Sequence, residues 1–191
     1  MNKIRTAIFG GSFDPIHAGH VALARAVRDY DLADEVWLLV TPLNPHKQCK
    51  NLTGEGERLA MARLAITGET GIVASDFEFH LSRPSYTINT LEALQIAFPE
   101  REFVLLMGAD NWKKIDKWYK GDEIVSRFGI IVYPRGNEAS PSLPANVKWL
   151  QAPLYDISST EIRRALSQGE DVSQWLHPDV AEYIKKKKLY L

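Results

Sequence analysis

Short unbroken apolar runs alternate along the chain with longer stretches in which apolar residues recur every three or four positions. The runs predict buried strands at Ala7 to Phe9, Glu35 to Val40, Ile72 to Ala74, Phe103 to Met107, Gly129 to Tyr133 and Val147 to Leu150. The periodic stretches predict helices at Ala18 to Arg28, about Glu57 to Thr67, Thr87 to Phe98, Asp122 to Arg127, Ser158 to Leu166 and about Asp179 to Lys186. Trp112 to Trp118 reads as a short helix or turn. Asp76 to Leu81, where Phe77 and Phe79 alternate with charge, reads as strand or extended loop. Thr41-Pro42 stops the second strand, because proline cannot donate to a ladder. Strands that are apolar throughout and separated by helices call for a parallel sheet covered on both faces, a doubly wound α/β fold.

Such sheets bind ligands at the carboxyl ends of their strands, where the strand order reverses. The polar motifs of this chain follow strands. Gly10 comes after the first, Asn44-Pro45-His46-Lys47 after the second and Asp110 after the fourth. Arg135 follows the fifth and Ser158-Ser159-Thr160 the sixth. They are expected to converge on one edge. The densest motif is Gly10 to His20. Its glycine pair is expected to turn the backbone at the strand end and to leave no side chain in a ligand's way. His17 and His20 then share a face at a helix start, where free N–H groups and the dipole favour a phosphate.

With 191 residues, a single domain is expected over 1–191, with a small helical portion at about 157–191. A composition of 45% hydrophobic and 25% charged residues is that of an ordinary globular protein. The net charge of −1 argues against a nucleic-acid partner, which needs a basic excess. One cysteine, Cys49, excludes an internal disulfide and fits a cytoplasmic setting. The opening residues do not read as a signal peptide, and no run is long enough to span a membrane. The P-loop, Gly-x-Gly-x-x-Gly, Gly-x-Ser-x-Gly and His-Glu-x-x-His patterns are all missing. No protein nucleophile stands out.

Each motif has a plainer reading. A histidine is usually a surface or structural residue. Ser158-x-x-Glu161 is a capping box in its own right. The loop holding Asn44 and Lys47 can be solvated, Trp118-Tyr119 can be core or surface anchor, and Lys185 to Lys188 fits a solvated helix end.

His17-Ala18-Gly19-His20 and Ile157-Ser158-Ser159-Thr160-Glu161-Ile162-Arg163 resemble, in order and spacing, the two signatures of a nucleotidyltransferase superfamily with a Rossmann-like fold. Within it the chain is similar to the bacterial nicotinate-nucleotide adenylyltransferases. The similarity is carried by Gly10-Gly11-Ser12-Phe13-Asp14-Pro15, Pro45-His46-Lys47, Pro84-Ser85-Tyr86-Thr87, Gly108-Ala109-Asp110 and Lys117-Trp118-Tyr119. The implied reaction joins ATP and nicotinate mononucleotide to give deamido-NAD and pyrophosphate, with Mg²⁺ carried by ATP and no metal held by protein side chains.

By the same resemblance, His17, His20, Lys47 and Arg163 are the catalytic set. Gly10, Gly11, Ser12, Phe13, Gly108, Asp110, Ile157, Ser159 and Thr160 line the ATP site. Asn44, Thr87, Trp118, Tyr119 and Arg135 receive the mononucleotide. One departure is Asn44-Pro45, where many relatives carry two prolines. The resemblance leaves room for a homo-oligomer. The rival readings are another acceptor in the same superfamily, nicotinamide mononucleotide or phosphopantetheine, and a nucleotide-binding sensor without turnover.

Overall fold

The computed structural model describes residues 3–42, 52–134, 140–151 and 157–191. Six strands form one parallel sheet: β1 (Ile4–Gly11), β2 (Glu35–Val40), β3 (Ile72–Ser75), β4 (Arg101–Gly108), β5 (Gly129–Tyr133) and β6 (Val147–Trp149). Their spatial order is β3-β2-β1-β4-β5-β6, so the order reverses between β1 and β4. The helices are α1 (Ala18–Asp29), α2 (Glu55–Ala65), α3 (Thr87–Ala97), α4 (Ala109–Trp112), α5 (Gly121–Arg127), α6 (Ser159–Ser167) and α7 (Pro178–Lys187). The expected doubly wound α/β sheet is present.

Successive strand residues point to opposite faces and build two cores. On one face Ala7, Phe9, Val36, Leu38, Val40, Val104 and Leu106 pack against α1, α2, α6 and α7. On the other Ile8, Trp37, Leu39, Phe103, Leu105 and Met107 pack against α3 and α5. Residues 157–191 are thus part of the first core, through Ile162, Ala165, Val172, Leu176, Val180 and Ile184.

Two local expectations are corrected. The glycine pair does not turn the chain. β1 runs through it, with Gly10 opposite Leu39 and Gly11 opposite Val40. The turn follows at Ser12 to Pro15, where Phe13 takes the left-handed φ of 47°. Phe77 to His80, expected as strand or extended loop, is a 3₁₀ turn. The Ser75 hydroxyl ends β3 by accepting the Phe77 N–H at 3.2 Å. The turn sends Phe77 to one core and Phe79 to the other, with Glu78 buried between them in sequence. Elsewhere the element types hold, with ends moved by a few residues. The segment expected as a short helix or turn at Trp112 to Trp118 is α4, starting at Ala109, and a 3₁₀ turn at Ile115–Lys117.

Glu78 accepts a hydrogen bond from the Thr90 hydroxyl of α3 at 2.8 Å, while its second oxygen is buried without a partner. Burial pushes its carboxyl up to about 7 from the ordinary 4.5. Between those two values the unfolded chain has released a proton that the folded chain keeps. Stability therefore falls as pH rises through this window, by on the order of 3 kcal/mol in all. Glu78→Gln should melt above the unsubstituted protein at pH 8 and together with it near pH 5. Thermal unfolding followed by circular dichroism across that range checks the crossover.

Candidate active site

Parallel strands place the ends of β1 and β4 and the starts of the intervening helices at one edge of the sheet. His17, His20 and Asp110 are therefore gathered there with Thr87, Trp118-Tyr119 and the Ser159-Thr160 helix start. Asn44, Lys47 and Arg135, together with Cys49, lie outside the described residues.

The loop from Ser12 to Pro15 is held by its carbonyl groups. The buried Arg58 of α2 donates to the Ser12 carbonyl at 2.6 Å, and also to those of Thr41 (2.9 Å), Thr53 (2.9 Å) and Pro42 (3.4 Å). Arg163 of α6 donates to the Asp14 carbonyl at 2.6 Å, and the Ser159 hydroxyl to that of Pro15 at 2.9 Å. In a trans peptide the N–H points opposite to the carbonyl it shares a plane with. Drawing the Ser12 carbonyl toward Arg58 thus turns the Phe13 N–H the other way. The Asp14 carboxylate is fully buried and accepts from the Tyr190 hydroxyl at 2.5 Å and the Thr53 N–H at 3.5 Å. Burial pushes the Arg58 guanidinium down from its ordinary range, against the opposing pull of Asp14 and Glu55.

The glycine pair divides into two roles. A side chain at Gly11 would sit 2.9 Å from the Phe13 ring, which covers it. A side chain at Gly10 would meet nothing within 4 Å, and Gly10 is exposed. Gly11 is thus required by the protein's own packing, whereas nothing in the protein itself demands a glycine at position 10. Gly108 resembles Gly11: a Cβ there would lie 2.5 Å from Asp110 Oδ1.

His17 precedes α1 in extended conformation, and its N–H donates to His20 Nδ1 at 3.2 Å. The His20 ring thereby does at the third helical position what Glu or Gln does in a capping box. Because Nδ1 accepts, the ring proton of neutral His20 sits on Nε2. The two imidazoles lie 3.7 Å apart between centroids. His20 also rests edge-on against Phe13 at 5.1 Å and tilted on Phe9 at 5.9 Å. Phe9 in turn meets Tyr133 at 6.0 Å, and Tyr133 flanks Gly108. An aromatic path therefore links the paired histidines to Asp110 across the β1–β4 reversal. Not every amide at the α1 start is free, since the Ala18 N–H donates to the Trp175 carbonyl at 2.8 Å.

At α6 the capping reading holds, and it leaves other side chains of the same turn available to the β1–α1 loop. Ser158 and Glu161 form a reciprocal capping box, leaving Ser159 and Arg163 to reach the β1–α1 loop. Thr160 is exposed and its hydroxyl accepts from Arg163 at 3.3 Å, while Ile157 packs on the first core. On the other side Thr87 opens α3, whose start carries no side-chain cap. Trp118 packs on the second core, and Tyr119 is half-exposed with its ring 4.7 Å from Tyr86.

Sequence reasoning missed Arg58, the buried carboxylate of Asp14, Tyr86, Tyr133 and Tyr190. Arg58 did leave a trace. It lies on the same helical face as Met61, Ala62 and Ala65, an apolar stripe where an exposed arginine has no place. Tyr190 left none, because it follows the last periodic stretch.

The two glycines make a stability test. Gly11→Ala should destabilise the fold by about 1–3 kcal/mol, as overpacking does. Gly10→Ala should stay within about 0.5 kcal/mol of the unsubstituted protein. Urea denaturation midpoints separate the two.

Known proteins resemble this chain in sequence and in fold. A cytidylyltransferase-like family model matches residues 8–165. A Bacteroides fragilis protein named "probable nicotinate-nucleotide adenylyltransferase" is 49% identical over 186 residues, 96% of this chain and 92% of the relative. One of the same name from Bacteroides thetaiotaomicron is 45% identical over 189 residues, 97% and 93% of the two chains. In fold, the chain is similar to the Plasmodium falciparum nicotinic acid mononucleotide adenylyltransferase complexed with NaAD. The TM-score is 0.80 at 23% identity, covering 98% of this chain and 97% of that one. The chain belongs to the cytidylyltransferase-like family and, within it, to the nicotinate-nucleotide adenylyltransferases.

Proposed function

We propose that the protein transfers the adenylyl group of ATP to nicotinate mononucleotide, giving deamido-NAD and pyrophosphate, as a step of NAD biosynthesis. The observation that carries this reading is the attachment of the last motif to the loop that precedes the first, at the strand-order reversal. Ser159 and Arg163 hold the very loop that leads into His17 and His20. A phosphate oxygen of the mononucleotide attacks the α-phosphorus of ATP. The bond from that phosphorus to the bridging oxygen breaks, and pyrophosphate leaves. The attacking group is already an anion, so the chain has only to position the reactants and stabilise charge.

The exposed Gly10 lets the ATP phosphates approach the backbone beside Gly11, Ser12 and Phe13, with the Phe13 N–H, turned away from Arg58, as a donor. His20, with its proton on Nε2, and His17 donate to oxygens on which negative charge grows in the transition state. Ser159, Thr160 and Arg163, beside Ile157, hold the leaving phosphates at a helix start. Arg163 has five N–H donors, of which two are engaged with Asp14 and Thr160. Lys47 adds positive charge. Asp110, beside Gly108, accepts from the adenosine ribose.

Asn44, Thr87, Trp118, Tyr119 and Arg135 receive the mononucleotide. The uncapped start of α3 at Thr87 favours a carboxylate over an amide on its ring, since helix N-termini attract negative charge. Mg²⁺ arrives with ATP as part of that substrate. Asp14, the buried carboxylate of this loop, faces Tyr190 and Thr53 inside the protein. The single Cys49 is in keeping with a cytoplasmic enzyme.

The reading is tested by supplying purified protein with ATP and Mg²⁺ plus nicotinate mononucleotide, nicotinamide mononucleotide or phosphopantetheine. Pyrophosphate and dinucleotide should form with the first. Its kcat/KM should exceed that of the amide about tenfold to a hundredfold, the worth of one charge-assisted hydrogen bond. Product from phosphopantetheine alone, or from none of the three, would overturn it. Replacing His17 by alanine should lower kcat about 10²- to 10³-fold and change calorimetric ATP affinity far less. Equal losses in both would make His17 a binding residue only.

A further inference from the structure

The transfer reading makes no use of Tyr190, yet its hydroxyl reaches the buried Asp14 carboxylate of the β1–α1 loop. The chain reaches that point by a defined route. α7 docks on α2 through hydrogen bonds from Tyr183 and Lys187 to Glu57, the residue before Arg58. After α7, Lys188 takes a left-handed φ of 53° and the Leu189 N–H returns to the Ile184 carbonyl at 3.0 Å. The chain is thereby turned back on itself, and Tyr190, itself at φ 63°, puts its hydroxyl 2.5 Å from Asp14 Oδ1.

Asp14 is 1% exposed, so this donor has no water to replace it. The same residue's carbonyl is held by Arg163, and the carbonyls of Ser12 and Pro15 by Arg58 and Ser159. Asp14 is therefore gripped at both backbone and side chain. Burial and the bond to Asp14 push the Tyr190 phenol far above its ordinary range, so it remains a donor.

We propose that Tyr190 is a positioning residue of the adenylyl transfer. Through Asp14 it would fix the Ser12–Pro15 loop and, with it, the Phe13 N–H and the His17-His20 pair. The inference rests on the proposed transfer activity. It assigns to the turn after α7 a share in ATP recognition and in turnover, not in mononucleotide binding. Tyr183 and Lys187, which bind Glu57 on the outer side of α2, would bear on docking alone.

The experiment compares the unsubstituted protein with Tyr190→Phe, which keeps the ring and removes the hydroxyl, and with Asp14→Asn. ATP affinity is measured by calorimetry, and kcat and both KM values by pyrophosphate release. Tyr190→Phe should weaken ATP binding about five- to tenfold and lower kcat by a similar factor, the effect of one hydrogen bond. KM for the mononucleotide should stay within about twofold. The double variant should be no worse than Asp14→Asn alone, because both changes break one link.

Equal loss for the two substrates, unchanged ATP affinity in either single variant, or additive losses would overturn the proposal. Should Tyr190→Phe fail to fold, Asp14→Asn decides by the same selectivity for ATP over the mononucleotide. An unsubstituted protein that bound ATP without forming a dinucleotide would defeat the transfer reading, and the ATP-affinity comparison would still decide this one. A protein that bound no ATP would overturn both.

Discussion

One buried guanidinium organises the carboxyl edge of the sheet. Arg58 sits 1% exposed on α2 and binds carbonyls from Ser12, Thr41, Pro42 and Thr53, three separate stretches of backbone. Taking such a charge out of water costs several kcal/mol. The cost is offset because the guanidinium's planar fork matches four acceptors at once and because Asp14 and Glu55 add favourable charge. A lysine could not span this set, and an apolar residue would leave those carbonyls without their buried donor. The loop after β1 therefore has a definite shape before any ligand arrives.

The rest of the site is built on that shape from distant parts of the chain. Ser159 and Arg163 lie 144 and 149 residues beyond the carbonyls they hold. This explains why residues 157–191 are not an appendage. α6 and α7 complete the first core, and in doing so bring their polar side chains to the loop. The β1–α1 loop is thus held by α2, by α6 and by the turn after α7. The opposite face supplies the α3 start and the Trp118-Tyr119 pair through the same parallel topology.

The strands were legible because residues buried on both faces leave continuous apolar runs, and parallel order followed from the helices between them. The paired histidines and the last motif were legible as residue types at meaningful spacing. Their mutual attachment was not, because hydrogen bonds between residues 144 positions apart leave no local pattern. The glycine pair shows a subtler limit. Sequence reading assigned both glycines to a backbone turn that clears the way for a ligand, whereas β1 runs straight through them. Only the position of the Phe13 ring shows that Gly11 serves packing while Gly10 faces open space. Asp76 to Leu81 misled for a related reason. The alternation of Phe77 and Phe79 with charge imitates a half-exposed strand, yet the charged Glu78 is 5% exposed. Period-two patterning assumes that the polar members face water, and here one faces Thr90 instead.

The need for so rigid a loop follows from the kind of chemistry such a site can support. With no covalent step, rate enhancement comes from dipoles already pointing at oxygens that gain charge, and its size depends on their not having to reorganise. Imidazoles on a flexible loop would relax around the ground state as readily as around the transition state, and so would favour neither. Here His20 is fixed through its Nδ1 by the His17 N–H and wedged against Phe13 and Phe9. With Nδ1 so engaged, the neutral ring carries its proton on Nε2. The capping bond that looks merely structural therefore also selects the tautomer able to donate. One bond thus both caps the start of α1 and fixes the orientation of the His20 ring.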